Sequence, residues 1–218
     1  MNNSLITILI TSYNKSKYIG YILNMLLEQN QSEIQVIIID DGSTDNSVEI
    51  IRTLIKNIPN FHLHRWKVNK GIAYARQYAL KIVQTPYFIF IDADDMIVEN
   101  YVQLLLNSVH NDNISNVHVF KARIYPIGKV SNLHISLTTK LIKTSFIKQY
   151  SIHFTPNLNY LEDEAFIQKM LVYKNTFHFY DEILYIYNIS TDNSISREKG
   201  VWWNELQYMD IEHYCNSL

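Results

Sequence analysis

Residues Tyr87 to Ile91 are five apolar, mostly β-favouring positions that run without polar interruption into Asp92-Ala93-Asp94-Asp95. A run with no polar alternation reads as a strand buried on both faces. Pro86 suits the start of such a strand, where a missing N–H is tolerated. The acids then fall where the strand leaves its sheet. Carboxylates this close repel one another unless positive charge lies among them. A hard divalent cation such as Mg2+ or Mn2+ suits the place, because it takes oxygen ligands and is often shared with substrate phosphates. A solvated acidic turn is the competing reading of Asp-x-Asp alone, so the rest of the chain has to decide.

Upstream, the same grammar repeats. Leu5 to Thr11 is an apolar, β-rich run ending in the turn formers Thr11-Ser12-Tyr13-Asn14, and Val36 to Ile39 is a second, ending in Asp40-Asp41-Gly42-Ser43. Helical spacing of apolar residues follows each: Tyr18 to Leu27, with Ser16 as candidate N-cap, and Val48 to Ile58, capped by Thr44 or Asp45. Phe61 to Trp66 alternates like a strand with one wetter face. Asn69-Lys70-Gly71 is a turn, and a helix over Ile72 to Val83 leads back to Tyr87. Strand–helix alternation with polar strand ends is the pattern of a parallel α/β sheet. Such sheets bind ligands at the carboxyl ends of their strands, near a topological switch point. Tyr13 and the two acidic strand ends are therefore expected in one crevice.

Beyond Asp95 the alternation loosens. Helices are expected over Val98 to Val109, Thr144 to Tyr150, from Leu161 onward and over Val201 to Tyr214. Strands are expected over Asn116 to Tyr125, Leu137 to Leu141, Phe177 to Tyr180 and Ile183 to Tyr187, the last two around an Asp181-Glu182 turn. Two function classes drop out on composition. A formal net charge of -2 argues against a nucleic-acid partner, and the single Cys215 rules out an internal disulfide or a cysteine zinc site. No apolar run approaches the ~20 residues that span a bilayer, and strand-like residues begin at Leu5 with no signal sequence before them. A cytoplasmic protein is expected, with peripheral contact on the inner membrane face left open.

Taken in order, Thr11-Ser12-Tyr13-Asn14, Asp40-Asp41-Gly42-Ser43-Thr44-Asp45, Asn69-Lys70-Gly71 with Ala75-Arg76, Asp92-Ala93-Asp94-Asp95 and Glu162-Asp163 resemble the motifs of family-2 nucleotide-sugar glycosyltransferases of the GT-A fold. The resemblance covers roughly residues 4–196. The Thr-Ser-Tyr-Asn-Lys-Ser opening is also similar to that of bacterial spore-coat polysaccharide glycosyltransferases. The fold implied is α/β: a Rossmann-like, mostly parallel central sheet flanked by helices, with a smaller acceptor-side α+β portion. A single domain, 1–218, would divide into a nucleotide-binding half, 1–95, and an acceptor-binding half, 96–218. The activity implied is metal-dependent, inverting transfer of a sugar from a UDP-sugar to a hydroxyl of a glycan, lipid-linked or protein acceptor. A homodimer or a partner subunit stays open. The alternatives are a non-catalytic nucleotide-sugar binder and a receiver-like Mg2+-binding regulatory domain. A receiver needs five-fold alternation and a Lys at a late strand end.

The resemblance also implies roles. Asp94, the last acid of Asp-x-Asp, would touch the cation that bridges the diphosphate. Asp92 would face the ribose or reach the metal through water, and Ala93 between them joins the nucleotide contacts. Asp95 reads as a helix-start or structural acid. Tyr13 would pack against the uracil face with the Thr11 backbone beside it, although the family usually has Pro where Thr11 stands. Asp41 would accept the uracil N3–H, and Asp40 would hold its loop. Asn69 and Arg76 fall near the nucleotide, though Arg76 also reads as a salt-bridged helix residue. Asp163 would be the general base, kept at a low pKa by the helix start, with Glu162 and Glu164 pointing elsewhere. The competing reading is that all three acids merely favour a helix N-terminus. Asn188 to Arg197 resembles a segment that closes over the diphosphate in relatives, with Ser194, Ser196 or Arg197 as candidate phosphate contacts. Trp202 and Trp203 could line an acceptor site, meet a membrane or pack in the core.

Overall fold

Ile6–Ser12 (β1) and Ile34–Asp40 (β2) are buried from end to end, as uninterrupted apolar strands must be. Their alternate residues feed two cores. Ile6, Ile8, Ile10, Val36 and Ile38 face one side; Leu9, Ile37 and Ile39 face the other. The computed structural model describes residues 4–131, 136–158, 160–173 and 177–190.

The first core is closed by Ile19–Leu27 (α1), through Ile19, Ile22, Leu23 and Leu26. Ser47–Ile55 (α2) adds Ile51, after which the chain returns as Phe61–Arg65 (β3). Ile72–Ile82 (α3) closes the second core with Ala75, Ala79 and Leu80, and Tyr87–Asp92 (β4) runs between the two. Each fully buried Ile or Leu contributes on the order of 2 kcal/mol of transfer free energy. The helices hold by this packing more than by capping. Ser16 does not cap α1, which starts at Ile19 with no side-chain cap, and α2 starts after Asn46 rather than Thr44 or Asp45. Those polar residues are used in loop-to-loop bonds, but Asp45 also accepts the N–H of Ser47, the first residue of α2, at 3.0 Å and so still serves that helix start.

After β4 come Met96–Ile97 (β5), Tyr101–Asn111 (α4), Val117–Tyr125 (β6) and Val130–Ser131 (β7). The expected strand over Leu137 to Leu141 splits into a 3-10 turn at Leu137–Thr139 and a strand at Lys140–Lys143 (β8). Ser136 starts the turn by accepting the Thr138 N–H. Thr144–Gln149 (α5), Glu162–Leu171 (α6) and Phe177–Asn188 (β9) follow. The two expected strands around Asp181-Glu182 are in fact the single strand β9. Its register against β6 shifts between Val119 and Lys121, so the extra residues bulge out of the ladder instead of turning the chain. Lys121 Nζ donates to Asp181 Oδ1 at 2.5 Å across that bulge. The expected helix from Val201, with Trp202 and Trp203, and the Ser194 to Arg197 segment lie outside the described residues.

One sheet runs in the order β3-β2-β1-β4-β8-β6-β9-β5, with β7 against β6. The four strands of the first half are parallel. β8 then lies antiparallel between β4 and β6, and β6 and β9 are parallel. A receiver would continue in parallel, so this topology excludes it. Among the described residues no helix is long and apolar enough to cross a membrane.

Gly42, just past β2, has φ +78°, and a Cβ placed there would sit 2.7 Å from Val68 C and Asn69 N. Both the left-handed backbone and the contact favour glycine. Gly42→Ala should therefore cost about 2 kcal/mol or more of unfolding free energy. Urea denaturation checks this, and an unchanged midpoint would contradict the close approach of the two loops.

Candidate active site

β1 and β4 are neighbours, yet the chain leaves β1 toward β2 on one side and reaches β4 from β3 on the other. That reversal opens a crevice at their carboxyl ends. The ends are nearly flush: Thr11 pairs with Ile39 and Asp92, Ser12 with Asp40, and Asp40 with Arg65. Tyr13, Asp41, Asn69, Asp92, Ala93 and Asp94 therefore all leave the sheet along one rim.

The β1 and β2 loops are stapled together. The Asn14 N–H donates to Ser43 Oγ at 2.9 Å, Lys15 N–H to Ser47 Oγ at 2.9 Å and Ser16 N–H to Asp45 Oδ2 at 2.9 Å. Asn14, at φ 52°, accepts the Thr44 N–H at 2.8 Å. The buried Asp40 accepts the Ser43 N–H at 3.1 Å and faces Arg65. Asp41 accepts the Lys70 N–H at 2.7 Å and the Gly71 N–H at 2.8 Å, so it sets the loop that carries Asn69. Burial raises its pKa, and those two N–H bonds oppose the rise. Tyr13, 44% exposed, presents a ring above this floor, and Asn69 is also exposed. Thr11 and Ala93 are buried, which leaves only their backbones for a ligand.

Two basic side chains meet the acids after β4. Lys15 Nζ donates to Asp94 Oδ2 at 2.5 Å. Arg76, only 3% exposed, donates through Nη2 to Asp92 Oδ1 at 2.9 Å and through Nη1 to Glu162 Oε1 at 2.6 Å. Burial alone would lower the guanidinium's pKa, but the charges of Asp92, Glu162 and Asp163 outweigh it and raise it. Arg76 thus lies under the rim, not on it. Asp95 is structural: its carboxylate accepts the Tyr185 O–H and the Asn188 N–H, each at 2.7 Å. The Tyr185 hydroxyl oxygen Oη also accepts the Asp92 N–H at 3.1 Å, so the end of β9 is bolted to the acidic loop.

Leu161, in left-handed backbone at φ 57°, turns the chain into α6. That conformation costs a non-glycine residue about 1 kcal/mol or more, and it sets Glu162, Asp163 and Glu164 in the first helical turn. Glu162 is the partner of Arg76 and does not point elsewhere. Asp163 is only half-buried yet deeply surrounded, so it is reachable and poorly solvated at once. Its pKa is raised rather than held low. Burial is the main cause, Asp92 adds to it, and Arg76 opposes it; the helix start does not prevail. Because β8 is antiparallel, its first residue, Lys140, comes to this same rim. Lys140 is fully buried, donates to Ser136 O at 2.6 Å, and is lowered to about 7 by burial, with Asp163 pulling upward.

Lys15, Glu162 and Lys140 are the residues that motif reading missed. The repulsion among Asp92, Asp94 and Asp95 was the signal that a positive group had to be near. A divalent cation also fits the place. Asp94 is partly exposed and already holds a positive group, the Lys15 ammonium. No group of three or more His, Cys, Asp or Glu among the described residues could hold a metal alone. Such a cation would share its coordination with donor phosphates, as Mg2+ commonly does.

Comparison with known proteins agrees with this architecture. The chain is 29% identical over 191 residues to the teichoic acid poly(glycerol phosphate) polymerase of Staphylococcus epidermidis, covering 79% of this chain and 26% of that one. It is 27% identical over 201 residues to the poly(ribitol-phosphate) beta-N-acetylglucosaminyltransferase TarS of Staphylococcus aureus, covering 83% and 35%. The chain thus spans about a quarter to a third of these two relatives. The crystal structure of S. aureus TarS 1-349 in complex with UDP-GlcNAc superposes with a TM-score of 0.78 at 24% identity, over 88% of this chain and 60% of that one. The mannosyltransferase PcManGT from Pyrobaculum calidifontis, in complex with GDP-Man and Mn2+, gives 0.71 at 14%, over 89% and 59%. Residues 7–168 match the family model described as Glycosyl transferase family 2, and the chain belongs to that family.

Proposed function

We propose that this protein is a metal-dependent, inverting glycosyltransferase that moves a sugar from a UDP-sugar to an acceptor hydroxyl. One observation carries the reading: Arg76 joins Asp92, on the donor side, to the helix turn that bears Asp163. A candidate ribose-side acid and the turn that carries a candidate base are thereby held by one buried cation at the switch point of the sheet.

Tyr13 supplies a face for the uracil ring. Asp41, held by Lys70 and Gly71, has acceptor capacity left for the uracil N3–H. Asn69 and the backbones of Thr11 and Ala93 border the nucleoside, and Asp92 faces the ribose. Asp94 would hold Mn2+ or Mg2+, which offsets charge on the departing diphosphate when bound. Asp163 takes the proton from the acceptor hydroxyl as that oxygen attacks the anomeric carbon from the side opposite the diphosphate. Its raised pKa makes it a stronger base than an ordinary aspartate. UDP-GlcNAc, held by the TarS structure, is the first donor to try. The relatives' names, with poly(glycerol phosphate) and poly(ribitol-phosphate) in them, point to a glycan or polyol-phosphate polymer as acceptor; lipid-linked and protein hydroxyls are the other candidates. A membrane-face location and a partner subunit are compatible with the fold. A non-catalytic binder would have no use for the accessible, basic Asp163.

Asp94→Asn should abolish Mn2+-dependent UDP binding in calorimetry, whereas unchanged binding would reject the metal assignment. Asp163→Asn should keep UDP binding and lose transfer; turnover at the wild-type rate would rule it out as base. A raised pKa also means that Asp163 is protonated, and lost as a base, at a higher pH than an ordinary aspartate. The acid limb of the wild-type rate profile should therefore fall with unit slope at a pH above the usual aspartate range. A profile flat down to that range would contradict this.

A further inference from the structure

Lys15 has no part in the mechanism above, yet its ammonium lies on the carboxylate assigned to the cation. Nζ is 2.5 Å from Asp94 Oδ2, with side chains 20% and 15% exposed. Its backbone cannot follow a moving side chain. The N–H groups of Asn14, Lys15 and Ser16 are bonded to Ser43, Ser47 and Asp45. Only the four-carbon stem is free to swing, and it carries three donors on a compact charge.

Charge counting shows what this pair does. Asp94 and Lys15 together are neutral. A divalent cation alone would bring two positive charges against an ammonium a few ångströms away, and like charges at that range repel strongly. A diphosphate alone would meet Asp94. A divalent cation and the diphosphate of a UDP-sugar, which carries two negative charges, together add no net charge, and free UDP with its further ionised phosphate oxygen adds negative charge. In either case the ammonium can leave the carboxylate for a phosphate oxygen.

We propose that Lys15 is a diphosphate-binding residue that rests on Asp94 until nucleotide and cation arrive together. It releases Asp94 to the cation and turns its own donors onto the diphosphate. The pair thereby makes metal and nucleotide binding mutually dependent, and it keeps the donor-free site from loading metal. This deepens the glycosyltransferase reading and rests on it.

Calorimetry separates the two. Mn2+ alone, and then UDP at saturating Mn2+, are titrated into wild type, Lys15→Met and Lys15→Arg, with thermal melts confirming that each variant is folded. In Lys15→Met, Mn2+ alone should bind about tenfold more tightly, and UDP about tenfold more weakly, the scale of one charged hydrogen bond. Lys15→Arg, which keeps the charge, should stay closer to wild type in both titrations. A Lys15→Met protein that binds Mn2+ no better, or UDP no worse, than a UDP-binding wild type overturns the inference and leaves the glycosyltransferase reading standing. A lysine that merely braces Asp94 would instead weaken both ligands when removed. A wild type that binds no UDP even with Mn2+ sinks the functional reading, and this inference with it. If Lys15→Met fails to fold, Lys15→Gln is titrated under the same criteria.

Discussion

The arrangement turns on one buried guanidinium. Arg76 sits between Asp92 at the end of β4 and Glu162 at the start of α6, with almost no exposure to solvent. Without it, Asp92, Glu162 and Asp163 would share a poorly solvated space with only the buried Lys140 amine, itself disfavoured as a cation, to compensate them. Removing one partner of such a buried pair costs on the order of 3–5 kcal/mol. Arg76 therefore does more than join two halves of the chain. It ties the helix turn that bears Asp163 to the end of β4, and it limits how far the pKa of Asp163 can rise.

The second half of the chain is built around that fixed point. Tyr185 and Asn188 bolt the end of β9 to Asp95, and Tyr185 also holds the Asp92 backbone. The antiparallel entry of β8 delivers Lys140 to the carboxyl end of a strand with which it is not parallel. Burial raises the pKa of Asp95 well above the usual range, with Asp92 and Asp94 adding to it, so Asp95 acts as a pin and not as a third open carboxylate. Of the acids after β4, Asp94 alone is turned toward an exchangeable partner.

Much of the first half was legible in the sequence, because a parallel sheet covered on both faces writes uninterrupted apolar runs with polar ends. The positions of Tyr13, Asp41 and Asp94 on one rim follow from that alone. The pairing of Arg76 with Glu162 was not legible: the two are 86 residues apart, and nothing local distinguishes a bonded acid from its neighbours in Glu162-Asp163-Glu164. The low pKa expected for Asp163 failed for a related reason. The helix start was visible, whereas the burial and the nearby Asp92 charge that outweigh it are tertiary. β9 looked like two strands because Asp181 and Glu182 mimic a turn, and only its pairing with β6 shows the bulge. Lys15 stood inside a recognised motif, but its reach across to the β4 loop depends on how the loops are stapled.

The central claim is spatial: UDP and its cation lie on the rim shared by β1, β2 and β4, with Asp163 across from them. A crystal grown with UDP and MnCl2, measured at a wavelength where manganese scatters anomalously, tests it most directly. The account predicts a manganese peak at coordination distance, about 2 Å, from the Asp94 carboxylate, with the uracil on Tyr13 and the diphosphate facing Asp163. A peak remote from Asp94, or UDP bound at another edge of the sheet, would contradict it.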